Sequence, residues 1–217
     1  MDKNKEIATK LPFYMKLSFR IELLIILFLI LTYEVIFWWT VTIDSAVYEW
    51  LMTTFSPAFT PIFKVFTHFW WVYWIIIVTL LLTAVLSLKK ENRKYAALTL
   101  LTPVIITIIN TVIKNIIQRP RPDILRLITE SWYSFPSWHT MHTVALYWVI
   151  ILLTSHFIKN KSLKRTIYGF SLLMMLWVTS SRIYLWVHYF SDILWWILLS
   201  LIYIFLVEFF FFRKKVA

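Results

Sequence analysis

The sequence predicts an all-α integral membrane bundle of six transmembrane helices. Three observations predict it. Several blocks reach the ~20 mostly apolar residues that a spanning helix needs. The chain is 60% hydrophobic and 19% aromatic, with a mean hydropathy of +0.73, where a soluble domain is about half apolar. Most Lys and Arg sit in short runs between the blocks, which is how a membrane protein sets its orientation. That placement explains the net charge of +11 without nucleic acid as a partner. There is no cysteine, which excludes disulfides and thiolate metal sites.

Residues 1–20 read as a cytoplasmic lead-in, amphipathic or irregular, and 21–217 as one membrane domain. The first span, Glu22 to Trp39, is too long for a cleavable signal and no small-residue cleavage site follows it. The others are expected at Val65 to Leu88, Tyr95 to Ile113, Met141 to Ile158, Ile167 to Ser180 and Ile193 to Phe212. Sixteen of the 22 Lys and Arg then fall on one side, in 3–20, 89–94, 159–165 and 213–215. The asymmetry places both termini in the cytoplasm. The remaining six are Lys64, Lys114, Arg119, Arg121, Arg126 and Arg182. Four of them crowd into one outer segment, Lys114 to Arg126, which orientation alone does not require. Trp38, Trp39, Trp70 and Trp71 suit interfacial aromatic belts.

Three outer segments hold the unusual polar residues: Lys114 to Pro122, Tyr133 to His139, and Ser181 to Asp192. A single interfacial Lys or Arg usually snorkels, but Lys114, Arg121 and Arg182 together require an anion. The planar fork of arginine matches phosphate oxygens, and Ser137 can donate one more hydrogen bond. His188 and Asp192 are four apart, one helical turn. The carboxylate can hold one imidazole nitrogen and present the other as a nucleophile. His139 is a second imidazole, able to protonate a leaving oxygen.

Written as Lys-x6-Arg-Pro, Pro-Ser-x-His and Ser-Arg-x5-His-x3-Asp, these segments resemble the type 2 phosphatidic acid phosphatase family. The motifs span Lys114 to Asp192, and the six-span layout extends the resemblance over nearly the whole chain. The resemblance implies a cofactor-free, metal-free, two-step hydrolysis of a membrane lipid phosphate or diphosphate at the extracytoplasmic face. His188 would attack phosphorus and become phosphohistidine, Asp192 would orient it, and His139 would protonate the leaving group. Lys114, Arg121, Ser137, Arg182 and the backbone N–H of Trp138 would hold the phosphoryl oxygens. Arg119 lies too close to Lys114 for the pattern and reads as a rim or headgroup residue. Undecaprenyl diphosphate, phosphatidylglycerophosphate and phosphatidic acid are the candidate substrates, and the short loops look bacterial.

The family usually carries glycine where Trp138 stands, and similar sequences usually carry it at Trp132, Trp186, Trp195 and Trp196. With one glycine, Gly169, against 13 tryptophans, the pattern suggests systematic glycine-to-tryptophan replacement, by design or in translation. Tryptophan at 138 keeps the N–H but adds a large ring. A ring that blocked the site would make the protein a non-catalytic binder of lipid phosphate. Transfer of phosphate to an acceptor other than water is the sister reading. A transporter would show intramembrane charge, for which Glu34 is the lone carboxylate well inside an expected span. No glycine-rich nucleotide loop and no carboxylate cluster for a metal are present.

Overall fold

In a computed structural model, residues 3–37, 39–68, 70–122, 127–128, 130–207 and 211 are described, without the side chains of 3–18, 20, 65, 66, 68, 70 and 71. Trp38 and Arg126, the side chains of Trp70 and Trp71, and the expected end of the last span lie outside that set. Eight α-helices account for the described architecture: α1 (Lys3–Ile36), α2 (Val41–Thr54), α3 (Thr60–His68), α4 (Trp70–Ser87), α5 (Arg93–Ile117), α6 (Trp138–Phe157), α7 (Lys161–Tyr184) and α8 (Phe190–Val207).

By length and composition, Lys90–Ile117, Trp138–Phe157 and Phe190–Val207 can each cross a membrane, and Val72–Ser87 is a shorter apolar helix. The Ile21–Ile36 and Val41–Thr54 segments meet the same test only together, across an 89° bend. The chain is thus a multi-pass bundle whose elements are more broken than the apolar blocks suggest. The lead-in is helical from Lys3 and continuous with the first span. The block Val65 to Leu88 is divided between α3 and α4, and α2 is an additional helix at the site end.

Helix α6 is central, packing against α4, α5, α7 and α8, while α1 lies on α8. Met141 and Ala145 of α6 meet Val35, Ile106, Trp195 and Trp196 in one core cluster. On another face of α6, Val144, Tyr147, Met175 and Val178 form a second. Lipid offers no hydrophobic drive between helices, so polar links count. Thr102 and Tyr203 bond through their hydroxyls at 2.7 Å. Trp74 Nε1 donates to Tyr147 Oη at 3.0 Å, and Trp195 Nε1 to Thr32 Oγ1 at 2.6 Å. Leu29, Leu80, Leu81, Leu88, Leu173 and Leu176 are exposed on the outside, as a lipid-facing belt requires.

The helix ends place the site. Helices α5 and α7 finish, and α6 and α8 begin, at the same end of the bundle. Ser137 caps α6, its side chain accepting from Thr140 N at 3.5 Å and Thr140 Oγ1 at 3.1 Å. At the opposite end Asn160 caps α7, accepting from Ser162 N and Leu163 N at 2.9 and 3.1 Å. Each cap satisfies N–H groups that have no partner inside the helix.

Candidate active site

Helix α5 ends at Lys114–Ile117, and Gln118 turns into the left-handed region (φ 50°) with its N–H on Lys114 O at 3.0 Å. Pro120 and Pro122 prevent the helix from resuming. The turn sends Arg119 and Arg121 to different partners. Arg121 Nε donates to Trp132 O at 2.5 Å, and Nη1 donates to Val187 O at 2.6 Å and lies 3.3 Å from His188 Nε2. Lys114 Nζ donates to Tyr133 O at 2.5 Å. The segment 130–137 thus lies across the end of α5, with Ser134 N bonded to Arg119 O at 2.9 Å.

Arg182, in the last turn of α7, is fully buried. Its Nη2 donates to Glu130 Oε1 at 2.5 Å, and Glu130 Oε2 lies 4.0 Å from Arg121 Nη2. Arg182 Nε and Nη1 have no hydrogen-bond partner among the described residues. Two unfilled donors on a buried guanidinium are costly unless an acceptor fills them, and phosphate oxygens match that fork. His139, the second residue of α6, is half-buried and interacts electrostatically with Arg182 and His188.

Beyond Tyr184 the chain crosses 185–189 before α8 begins. Trp186 N bonds to Ile183 O at 2.8 Å and Val187 N to Arg182 O at 3.3 Å, with Trp186 at φ 54°. This tight reversal puts His188 beside the first turn of α8. Its Nδ1 lies 3.5 Å from Asp192 Oδ2, and that oxygen also accepts from Tyr189 N at 3.1 Å. Burial, then the charges of Arg121, Arg182 and Lys114, hold the His188 imidazole well below its ordinary pKa of 6.5. Nδ1 makes no hydrogen bond to Asp192 at this distance, while Nε2 lies on the side of Arg121. An imidazole with a carboxylate on its Nδ1 side is suited to act as a nucleophile through Nε2.

Six of the expected residues, Lys114, Arg121, His139, Arg182, His188 and Asp192, therefore converge, and Ser137 is buried at the start of α6. Arg119 is corrected. It is buried, not on the rim, with Nη2 3.0 Å from Asp44 Oδ2 and Nη1 paired with Asp192 Oδ1. Its partner Asp44, on α2, and the bridging Glu130 escaped the sequence reading. The available signal was that each is a lone carboxylate in an apolar or cationic neighbourhood that needs a partner. Glu34 is half-buried near the end of α1 and belongs to none of these contacts.

The ring of Trp138 stacks on His142, centroids 4.0 Å apart, and meets His139 edge-on at 5.4 Å. It lines a cavity of about 310 Å³ between α4, α5 and α6, with Ile75, Thr79, Pro103, Thr107 and His142. The ring is thus seated among side chains of α4, α5 and α6 and touches the edge of His139. Of the five tryptophans at expected glycines, Trp186 alone has a positive φ, the conformation in which glycine is favoured.

Comparison with known proteins agrees with the motifs. A model of the PAP2 superfamily matches residues 94–215. Over 102 residues the chain is 37% identical to phosphatidylglycerophosphatase B of Bacillus subtilis (strain 168), covering 46% of this chain and 50% of that protein. The match thus spans about half the length of that curated relative. The fold is similar to the crystal structure of a transmembrane PAP2-type phosphatidylglycerolphosphate phosphatase from Bacillus subtilis. The TM-score is 0.78 at 26% identity, over 91% of this chain and 98% of that one.

Proposed function

Since the chain belongs to the PAP2 superfamily, we propose that it hydrolyses the terminal phosphate of a membrane lipid through a phosphohistidine. The observation that carries this is Arg182, fully buried with two donors unfilled among the described residues and within electrostatic reach of His188, whose Nε2 lies 3.3 Å from Arg121 Nη1. Lys114, Arg121, Ser137, Arg182 and the Trp138 N–H hold the phosphoryl oxygens. The lone pair of His188 Nε2 forms the P–N bond as the bond to the leaving oxygen breaks, and His139 gives that oxygen its proton. Water then attacks phosphorus, His139 takes a water proton, and the P–N bond breaks to release phosphate. Asp192 fixes the proton of His188 on Nδ1 throughout. The three cations stabilise the charge of the transferring group, the task that a divalent ion performs in many phosphatases.

Phosphatidylglycerophosphate is the first candidate substrate, because both similar proteins are described as acting on it. In this reading the six crossings would be α1, α3 with α4, α5, α6, α7 and α8. The basic runs at 89–94 and 159–165 flank the ends of helices remote from the site, which supports an extracytoplasmic active site with cytoplasmic termini.

The test is phosphate release from phosphatidylglycerophosphate, phosphatidic acid and undecaprenyl diphosphate in detergent with excess chelator. Release from at least one, fastest from phosphatidylglycerophosphate, is expected to persist. Activity lost in chelator and restored by magnesium would overturn the mechanism, and no release from any of the three would overturn the function.

A further inference from the structure

Asp192 meets His188 with one oxygen only, because its other oxygen is held from behind. Arg119 Nη1 pairs with Asp192 Oδ1 and donates to Ser191 Oγ at 2.9 Å. Arg119 Nη2 donates to Asp44 Oδ2 at 3.0 Å and Thr40 Oγ1 at 3.2 Å. The guanidinium also lies over the ring of Tyr189, 4.0 Å from its centroid. Asp44 in turn accepts from Ser191 N at 2.7 Å and Ser191 Oγ at 2.8 Å. A side chain of α2 therefore caps the start of α8, the helix that carries Asp192. Asp44, Arg119, Ser191 and Asp192 are all at most 3% exposed.

We infer that Asp44 and Arg119 are positioning residues for the phosphoryl-transfer step, acting on His188 through Asp192. The inference rests on the reading of His188 as nucleophile. Arginine is suited to the task because its planar fork can fix two carboxylates at once. With Oδ1 engaged by Arg119, Asp192 turns Oδ2, which also accepts from Tyr189 N, toward His188 Nδ1 at 3.5 Å. The side chain cannot rotate to offer the other oxygen without breaking the pair. That restraint keeps the imidazole proton on Nδ1 and the Nε2 lone pair toward the phosphate cations. Both terminal nitrogens of Arg119 are engaged by protein groups. Asp44 lies outside the stretch that the family model matches, 94–215. The N-terminal part of the chain thereby supplies a support for the catalytic carboxylate as well as membrane anchorage.

The plain alternative is that the Asp44–Arg119 pair only docks α2 on the bundle. A double-mutant cycle separates the two, because residues acting through one another are non-additive. Full-length wild type, Asp44→Asn, Asp192→Asn and the double variant are assayed in detergent on phosphatidylglycerophosphate for kcat, KM, phosphoenzyme formation and melting temperature. Arg119→Lys and Arg119→Met are run beside them. Asp44→Asn is close to isosteric and keeps an oxygen for Ser191, so it is the variant best able to fold. Its kcat is expected to fall about 10–100-fold, the scale seen when the partner of a first-contact ligand is lost, with KM changed less than about threefold. In the Asp192→Asn background the same substitution is expected to cost less than about twofold. Arg119→Lys should retain more kcat than Arg119→Met. An equal loss from Asp44→Asn in both backgrounds would overturn the proposal. So would a lowered melting temperature with wild-type kcat, or a raised KM with unchanged kcat. A wild type that turns over without a phosphoenzyme would instead count against His188 as nucleophile, and the cycle would still report on the relay.

Discussion

His188 carries its chemistry because of where its ring is held. It is buried among three cations, and each of these causes opposes protonation. The neutral form is the one that attacks, so its depressed pKa extends the active range downward in pH. The limb of kcat/KM set by His188 is expected below pH 6.5, its ordinary value. Arg121→Gln removes the largest charge contribution and is expected to move that limb to higher pH while lowering the rate. A limb that stays in place would show that Arg121 does not set the proton affinity of the ring. Lys114, Arg121, Ser137, His139, Arg182, His188 and Asp192 are legible in the sequence because their spacings are local to three segments. Asp44 and Glu130 are not, because their partners lie far off in the chain: Asp44 pairs across 147 positions with Ser191. Arg119 is misread for the same reason, since the carboxylates it pairs with lie 75 and 73 positions away.

The helix starts decide how precisely the residues are aimed. Helix α6 begins at the site with Ser137 as its cap, so that residue has a structural and a chemical task. Asn160 caps α7 at the far end and has only the first. Replacing either with alanine is expected to cost about 1 kcal/mol of stability, a fall of about 2–4 °C in Tm for a domain of this size. Asn160→Ala is expected to leave kcat/KM unchanged, whereas Ser137→Ala should lower it as well. Equal effects of the two variants on activity would show that Ser137 serves the helix alone. The apolar blocks reveal α5 to α8 well, because these helices run unbroken between polar ends. They hide the 89° bend between α1 and α2 and the division of α3 from α4. Hydropathy continues through both breaks. Helix α2 places the buried carboxylate of Asp44 against Arg119, a pairing that hydropathy does not register.

At the scale of the whole molecule, the site and the basic runs at 89–94 and 159–165 occupy opposite ends of one bundle. Sidedness can be measured directly, because the chain has no cysteine. In intact cells a membrane-impermeant maleimide is expected to label Ser131→Cys, exposed beside the site, and to spare Lys161→Cys, exposed at the other end. The reverse pattern would place the site in the cytoplasm. The fold class was readable from apolar blocks and charge alone, since a membrane leaves few ways to satisfy the backbone. The supporting layer behind the site needed the folded chain. The central claim, that His188 is the group that takes the phosphate, is tested most directly by trapping the intermediate. Wild type quenched during turnover of phosphatidylglycerophosphate labelled in its terminal phosphate should carry label that is stable to base, lost in acid and located by peptide mapping on His188. His139→Ala should still form it, slowly with the natural substrate and faster with an activated leaving group, while His188→Ala should form none. Label on any other residue, or label retained in His188→Ala, would contradict the account.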